Sequence, residues 1–270
     1  MRMKTLAVLL SGVVLSSAVS CTVKELRTDC PCWLQVSVLN KEVVTTDVSL
    51  IGWDGAEAFS DRFSTVRHPD VYEKTVTKGL YYVMGYEGVS YLRNDGGHSL
   101  VIDYGMEADS LYCCCLQVDA SGEFADVPMT LRKQFATVHL DIKKTPAELE
   151  RYSFEVNGGV CGFDLLGMRP VEGAFRCTPE PTDGRSVVSF RVPRQKDDSL
   201  ELTLTYDDGP EGFDMDTYPL GRYIRMLNYN WKSDDLQDIY ITMDIISGKI
   251  QIGVESWEPA VDFYMHHVII

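Results

Sequence analysis

Residues 135–142 read Phe-Ala-Thr-Val-His-Leu-Asp-Ile. Ala136, Val138, Leu140 and Ile142 fall on one side of an extended chain, and Phe135, Thr137, His139 and Asp141 on the other. Alternation of this kind marks a strand with one face in a core and one in water. The period returns at Leu200, Leu202, Leu204 and Tyr206, set against Glu201, Thr203 and Thr205. It returns again at Ile239, Ile241, Met243 and Ile245, against Tyr240, Thr242 and Asp244. There Ser247-Gly248 has the form of a two-residue hairpin loop, and Ile250, Ile252 and Val254 run back. A sustained helical period is absent, so the predicted fold class is all-β.

The first half reads the same way. Leu34, Val36 and Val38 alternate with Gln35 and Ser37, and Val48, Leu50 and Gly52 with Ser49, Ile51 and Trp53 before an Asp54-Gly55 turn. Residues 80–86, 99–104 and 111–118 are further strand candidates, and 59–78 reads as strands parted by His68-Pro69. Composition breaks at 121–128. Beyond it, 152–156, 161–166 and Val188-Phe190-Val192 are strand candidates. Thr145-Pro146-Ala147-Glu148 has the form of a helix start: a cap, a proline at the first helical position and a glutamate that closes the box. Roughly seven strands on each side of the break predict two β-sandwiches in tandem, residues 30–127 and 128–259.

The front of the chain is of another kind. Arg2 and Lys4 precede a short apolar run, residues 6–15, and then small residues up to Cys21. This is the order of a secretory signal, and the run is too short for a spanning helix. Ala18-Val19-Ser20-Cys21 resembles a bacterial lipobox, departing from it at Ala18. Cleavage between Ser20 and Cys21 would leave an acylated Cys21 as the first mature residue, on a tether of residues 21–29, with plain secretion as the alternative. The formal net charge is −15, which disfavours nucleic acid as a partner.

Eight cysteines are present. Cys30-Pro31-Cys32 is too tight to bridge within itself. Cys113, Cys114 and Cys115 lie in a β-like run, so Cys114 is expected to face away from its neighbours, all three as inert thiols. Cys161 and Cys177 are a possible disulfide.

No catalytic constellation is present: no GxSxG, no HExxH and no phosphate loop, so no enzyme, cofactor or metal is expected. His98, after Gly96-Gly97, reads as a turn residue. His266-His267 would point oppositely on a strand. Asp207, Asp208, Glu211, Asp214 and Asp216 form an acidic loop without EF-hand spacing. Tyr218, Tyr223, Tyr229, Trp231 and Trp257 could make a sugar platform, or pack as core. Residues 260–270 place Val261, Phe263 and Met265 on one face and end in Val268-Ile269-Ile270. This tail is either the last strand of its own sheet or a strand meant for another subunit.

Several segments together resemble the FimB-type fimbrial anchor family of the Bacteroidales fimbrillin superfamily. They are Thr28-Asp29-Cys30-Pro31-Cys32-Trp33-Leu34, Met129-Thr130-Leu131-Arg132-Lys133-Gln134-Phe135-Ala136, Phe190-Arg191-Val192-Pro193-Arg194-Gln195, Tyr218-Pro219-Leu220-Gly221-Arg222-Tyr223, Tyr229-Asn230-Trp231 and Leu236-Gln237-Asp238-Ile239. Asn230 departs from an acidic residue common in the family. The resemblance implies two transthyretin-like β-sandwiches on an outer-membrane lipoprotein. It implies a role at the base of a fimbrium, limiting its length and meeting the shaft subunit by β-strand donation. Val261, Phe263, Met265, Val268, Ile269 and Ile270 are the donor candidates. The competing readings are a lipid-anchored module for glycans or host surfaces, and a fimbrial tip adhesin.

Overall fold

A computed structural model describes residues 30–43, 47–65, 71–90, 92–94, 97–182, 184–207, 213–244, 249–254 and 268–269. In chain order the strands are β1 (Cys32–Val38), β2 (Val48–Trp53), β3 (Glu57–Phe63), β4 (Tyr72–Val76), β5 (Leu80–Glu87), β6 (Leu92–Asn94), β7 (Ser99–Ile102), β8 (Tyr112–Asp119), β9 (Phe124–Met129) and β10 (Arg132–Lys133). They continue as β11 (Phe135–Ile142), β12 (Tyr152–Asp164), β13 (Arg169–Cys177), β14 (Val187–Pro193), β15 (Glu201–Asp207), β16 (Phe213–Tyr218), β17 (Ile239–Asp244), β18 (Lys249–Val254) and β19 (Val268–Ile269). Among the described residues two short α-helices, α1 (Pro146–Leu149) and α2 (Leu220–Met226), and one 3-10 turn (Lys41–Val43) interrupt them. The fold is all-β and built of sandwiched sheets.

One pattern of strand pairing occurs twice. A sheet ordered β4-β1-β9 faces one ordered β10-β8-β5-β2-β3. A second sheet ordered β14-β11-β17-β18-β19 faces one ordered β16-β15-β12-β7-β6, with β13 also on β12. In each case the first strand has an antiparallel neighbour on one side and a parallel one on the other: β1 between β4 and β9, β11 between β14 and β17. In each case the second strand pairs with the third and fifth, β2 with β3 and β5, β12 with β13 and β15. Strands β6, β7, β10, β18 and β19 are surplus to this repeat.

Alternation sets the cores. Leu34, Val36 and Val38 on β1 meet Leu50, Val83 and Cys114 across the first sandwich. Val138, Leu140 and Ile142 on β11 meet Phe154, Val156, Leu202 and Leu204 across the second. Burial of a Leu or Phe side chain contributes roughly 1.5–3 kcal/mol, and these inward positions are almost fully covered. A third cluster joins the two. Ile51, Met84, Leu111 and Cys113, on the outer side of the first sandwich, pack with Leu100, Phe163 and Leu165. The hydrogen bonds cross the same seam: β7 pairs with β12 (Phe163↔Leu100), and β10 pairs with β8 (Arg132↔Cys113).

Three readings change. Residues 152–156 and 161–166 were expected as separate strands. They are one strand, β12, with register shifts at Gly158/Val160 and Val160/Gly162. The glycines allow a close approach, since a Cβ on Gly159 would stand 2.9 Å from Ser199 Oγ, which accepts the Gly159 N–H. The break at 121–128 contains β9, whose Ala125, Val127 and Met129 face the core and whose Pro128 lies outward. The possible Cys161–Cys177 disulfide is absent. Cys177 registers with Val156, five residues along β12 from Cys161, which at about 3.3 Å per residue is beyond the reach of an S–S bond.

The expected helix start is present, and one turn follows it, Pro146–Leu149. The Glu148 carboxylate accepts from Thr145 N–H at 2.8 Å and from Thr145 Oγ1 at 2.7 Å, closing the box from one side.

Candidate functional site

The carboxyl-terminal edge of the second sandwich is built outward from β17. Asp238, just before β17, accepts from Lys133 Nζ at 2.7 Å and from Thr137 N–H at 3.0 Å. Burial alone would raise its carboxyl, but these bonds outweigh it and hold the group below the usual carboxylate range. So anchored, β17 lies parallel to β11 and pairs antiparallel with β18. β19 closes the edge with two registered pairs, Gln251↔Ile269 and Ile252↔Val268. Of the donor candidates, Val268 and Ile269 are therefore on their own sheet. Val261, Phe263, Met265 and Ile270 lie outside the described residues, as do Ser20, Cys21, the Ser247-Gly248 loop, Trp257, His266 and His267.

Two arginines of the Phe190–Gln195 motif clamp this body together, a role that spacing in the sequence does not carry. Arg191 Nε donates to Ala108 O at 2.8 Å and Nη1 to Ser110 Oγ at 3.2 Å. Arg194 Nε donates to Gln134 Oε1 at 2.7 Å, Nη1 to Trp231 O and Ser233 O, and Nη2 to Lys133 O and Asp234 O. The planar fork of five donors suits such a ring of carbonyls. Arg132 completes the loop contact, pairing with Asp235 at 2.8 Å.

The remaining candidates separate. His98 sits in a bend before β7. Its Nδ1 is 2.6 Å from Asp164 Oδ1, and its ring meets Trp53 edge-on at 5.4 Å. Asp164 also accepts from Gly167 N–H and Arg169 Nε. Burial opposes ionisation of Asp164, yet the three donors win and depress its pKa. This group ties the β12–β13 turn to β2 and engages both oxygens of the carboxylate.

In the acidic loop, Asp207 gives its carbonyl to Arg151, while Asp208 and Glu211 lie outside the described residues. Among the described residues no three His, Cys, Asp or Glu converge on one point. Tyr218, Tyr223, Tyr229 and Trp231 are half-buried against the second core. Tyr229 and Trp231 meet edge-on at 4.7 Å, and Tyr229 OH donates to Gln237 O. Packing, not a platform, accounts for these four.

Cys114 faces the first core, with Cys113 and Cys115 on the opposite side against the seam. Burial pushes Cys114 up to about 12 and Cys115 up to about 11, so these thiols stay protonated and inert.

Sequence reasoning did not find an open cleft of about 590 Å³ on the outer face of β12, β15 and β16. Ser153, Thr203, Thr205 and Thr217 line it, beside an Arg176–Glu155 ion pair of 2.5 Å.

Comparison with known proteins gives likeness in structure alone. No protein-family model and no curated protein sequence matches the chain. A Bacteroides thetaiotaomicron structure described as a candidate polysaccharide-binding protein superposes with a TM-score of 0.63 at 15% identity, over 86% of this chain and 98% of that one. The fimbrial anchor protein Mfa2 from Porphyromonas gingivalis superposes with a TM-score of 0.59 at 13% identity, over 84% and 98%. A candidate adhesin from Bacteroides ovatus gives 0.57 at 14% identity, over 89% and 95%. At these identities what is shared is the fold.

Proposed function

We propose that this chain is a surface lipoprotein at the base of a fimbrium. Cys21 carries the lipid and holds the body at the outer membrane. The opposite end meets the shaft subunit through residues 260–270, donated as a β-strand. A subunit fixed in lipid at one end stops the row of subunits there, which limits fimbrial length. The observation that carries the reading is the end-to-end likeness in fold to a fimbrial anchor, which spans 98% of that protein. The surplus strands β18 and β19 add support. They extend the β14-β11-β17 sheet beyond the shared repeat, and β19 lies at its outer edge, paired with β18 alone among the described residues. A strand at the outer edge of its sheet can leave without breaking the pairs behind it, and a shaft subunit's groove would offer it a new ladder.

The test is deletion of residues 260–270. The truncated protein is expected to fold, to label with palmitate and to lose co-purification with the shaft protein. Retained co-purification would discard strand donation, and loss of palmitate labelling in the intact chain would discard the lipid anchor.

The second reading is a lipid-anchored glycan-binding module. It is favoured by the hydroxyl-lined cleft at Ser153, Thr203, Thr205 and Thr217, and by the likeness to a candidate polysaccharide-binding protein. A sugar that binds the folded state raises its melting temperature. A rise with an oligosaccharide that disappears in Arg176→Ala would favour this reading.

A further inference from the structure

We infer that one pole of the first sandwich, carrying Trp33, Leu80 and Phe124, rests in the headgroup layer of the membrane that holds Cys21. This rests on the lipid anchor proposed above. β1 and β9 are parallel, so both begin at the same pole, with Trp33 registered opposite Phe124 and Trp33 N–H donating to Glu123 O at 2.8 Å. β4 ends there, with Val76 opposite Cys32. β5 begins and β8 ends there, with Leu80 opposite Asp119 and Ala120 N–H donating to Gly79 O.

Three large apolar side chains at this pole are open to solvent: Trp33 at 43%, Leu80 at 53% and Phe124 at 68%. The inward neighbours Leu34, Tyr81 and Ala125 are buried, so the three project from the outer faces of both sheets at one end. That is a rim of apolar groups around a pole, not a groove between sheets.

The chain length places this pole at the lipid. Eight residues separate Cys21 from Cys30. Fully extended at about 3.3–3.6 Å each, they reach roughly 30 Å, and a relaxed tether is shorter. Trp33 follows three residues later. Exposed tryptophan and phenylalanine this close to an acyl anchor match the amphipathic belt found where proteins meet the bilayer interface. Asp119 and Glu123 flank the three side chains, Lys78 stands at the same turn near Cys32 and Asp119, and the whole chain carries −15. Anionic lipid would repel such a surface, so the fitting surface is zwitterionic phospholipid. The contact would set the tilt of the tethered body and aim its far end away from the membrane.

The test uses the full acylated chain on phosphatidylcholine vesicles whose acyl chains carry bromine, a contact quencher of tryptophan. The intact protein is expected to float with the vesicles and to be quenched. Trp33→Phe keeps an aromatic ring at the site, and is expected to float equally while losing most of the quenching. Flotation with equal quenching in both proteins, or with none, would overturn the inference and leave the anchor standing. Failure to float would remove the anchor and this contact together. Without vesicles, acrylamide is expected to quench the intact protein more than Trp33→Phe. Equal quenching would mean that residues 22–29 or a second copy already cover the pole, and would also overturn it.

Discussion

Gly162 of β12 lies against the backbone of Leu100 on β7: a Cβ placed on Gly162 would stand 2.1 Å from the Leu100 carbonyl oxygen. β13 flanks β12 from Val156 to Asp164, so β15 and β7 share its other flank, β15 near the start and β7 near the end. The glycine therefore admits a strand from the first half of the chain into the second sandwich. Gly162→Ala is expected to destabilise by about 1–3 kcal/mol, the range for overpacking a tight site. Hydrogen exchange should report faster exchange at the β7 amides while β11 and β17 stay protected. Unchanged protection of β7 would mean that the strand is held by other contacts.

Arg194 bridges Gln134, Trp231, Ser233, Lys133 and Asp234. Arg194→Met keeps much of the packing and removes every donor. A loss of about 2–4 kcal/mol in urea unfolding is expected, from five acceptors left to find other partners. Arg194→Lys should recover less than half of it, because a point charge cannot serve five acceptors at once. Full rescue by lysine would show that charge, not the fork, is what matters.

The depressed carboxylates give stability a pH dependence with a definite sign. The Asp61 carboxyl is held down by bonds from Lys74 and Tyr72, and Asp164 and Asp238 by their own donors against the pull of burial. A group whose folded pKa lies below its unfolded value, about 3.9 for Asp, contributes stability above that value. The contribution is lost as pH falls through the folded pKa. Stability is expected to be flat near neutrality from these groups and to decline below about pH 4. Asp164→Asn should be less stable at pH 7 and should show a shallower decline in acid. A parallel decline in variant and wild type would remove Asp164 from the explanation.

Thiol labelling tests the cysteine positions. Cys30 is exposed, whereas Cys32, Cys113, Cys114 and Cys177 are buried. Native protein is expected to label at Cys30 first, and the buried four only on unfolding. Peptide mapping should find no Cys161–Cys177 bridge, and a reductant should leave the melting temperature unchanged. A bridge between these two would require a shift in the β12–β13 register.

The all-β class and the inward faces of β1, β11, β15 and β17 were legible because one buried face imposes a period of two on side chains. β9 and β13 were not. Pro128 and Asp126 in one, and Pro170 and Gly173 in the other, are the residues that usually end strands, and the pairing partners compensate. Alternation also says nothing about which sheet a strand joins, so the passage of β7 into the second sandwich was invisible. The clamps made by Arg191 and Arg194 were equally hidden. The motif that contains them was visible, but their acceptors are carbonyls and side chains up to 83 residues away.

The most direct measurement of the assembly role is a reversible lock on β19. Gln251 and Ile269 are registered antiparallel partners, at a separation of about 4.5–5.5 Å between Cα atoms that a disulfide can bridge. In Gln251→Cys/Ile269→Cys, oxidation ties the tail to its own sheet and reduction frees it. Strand donation requires the oxidised protein to lose the shaft subunit in co-purification and the reduced protein to regain it. An oxidised, locked protein that still carries the shaft would contradict donation outright.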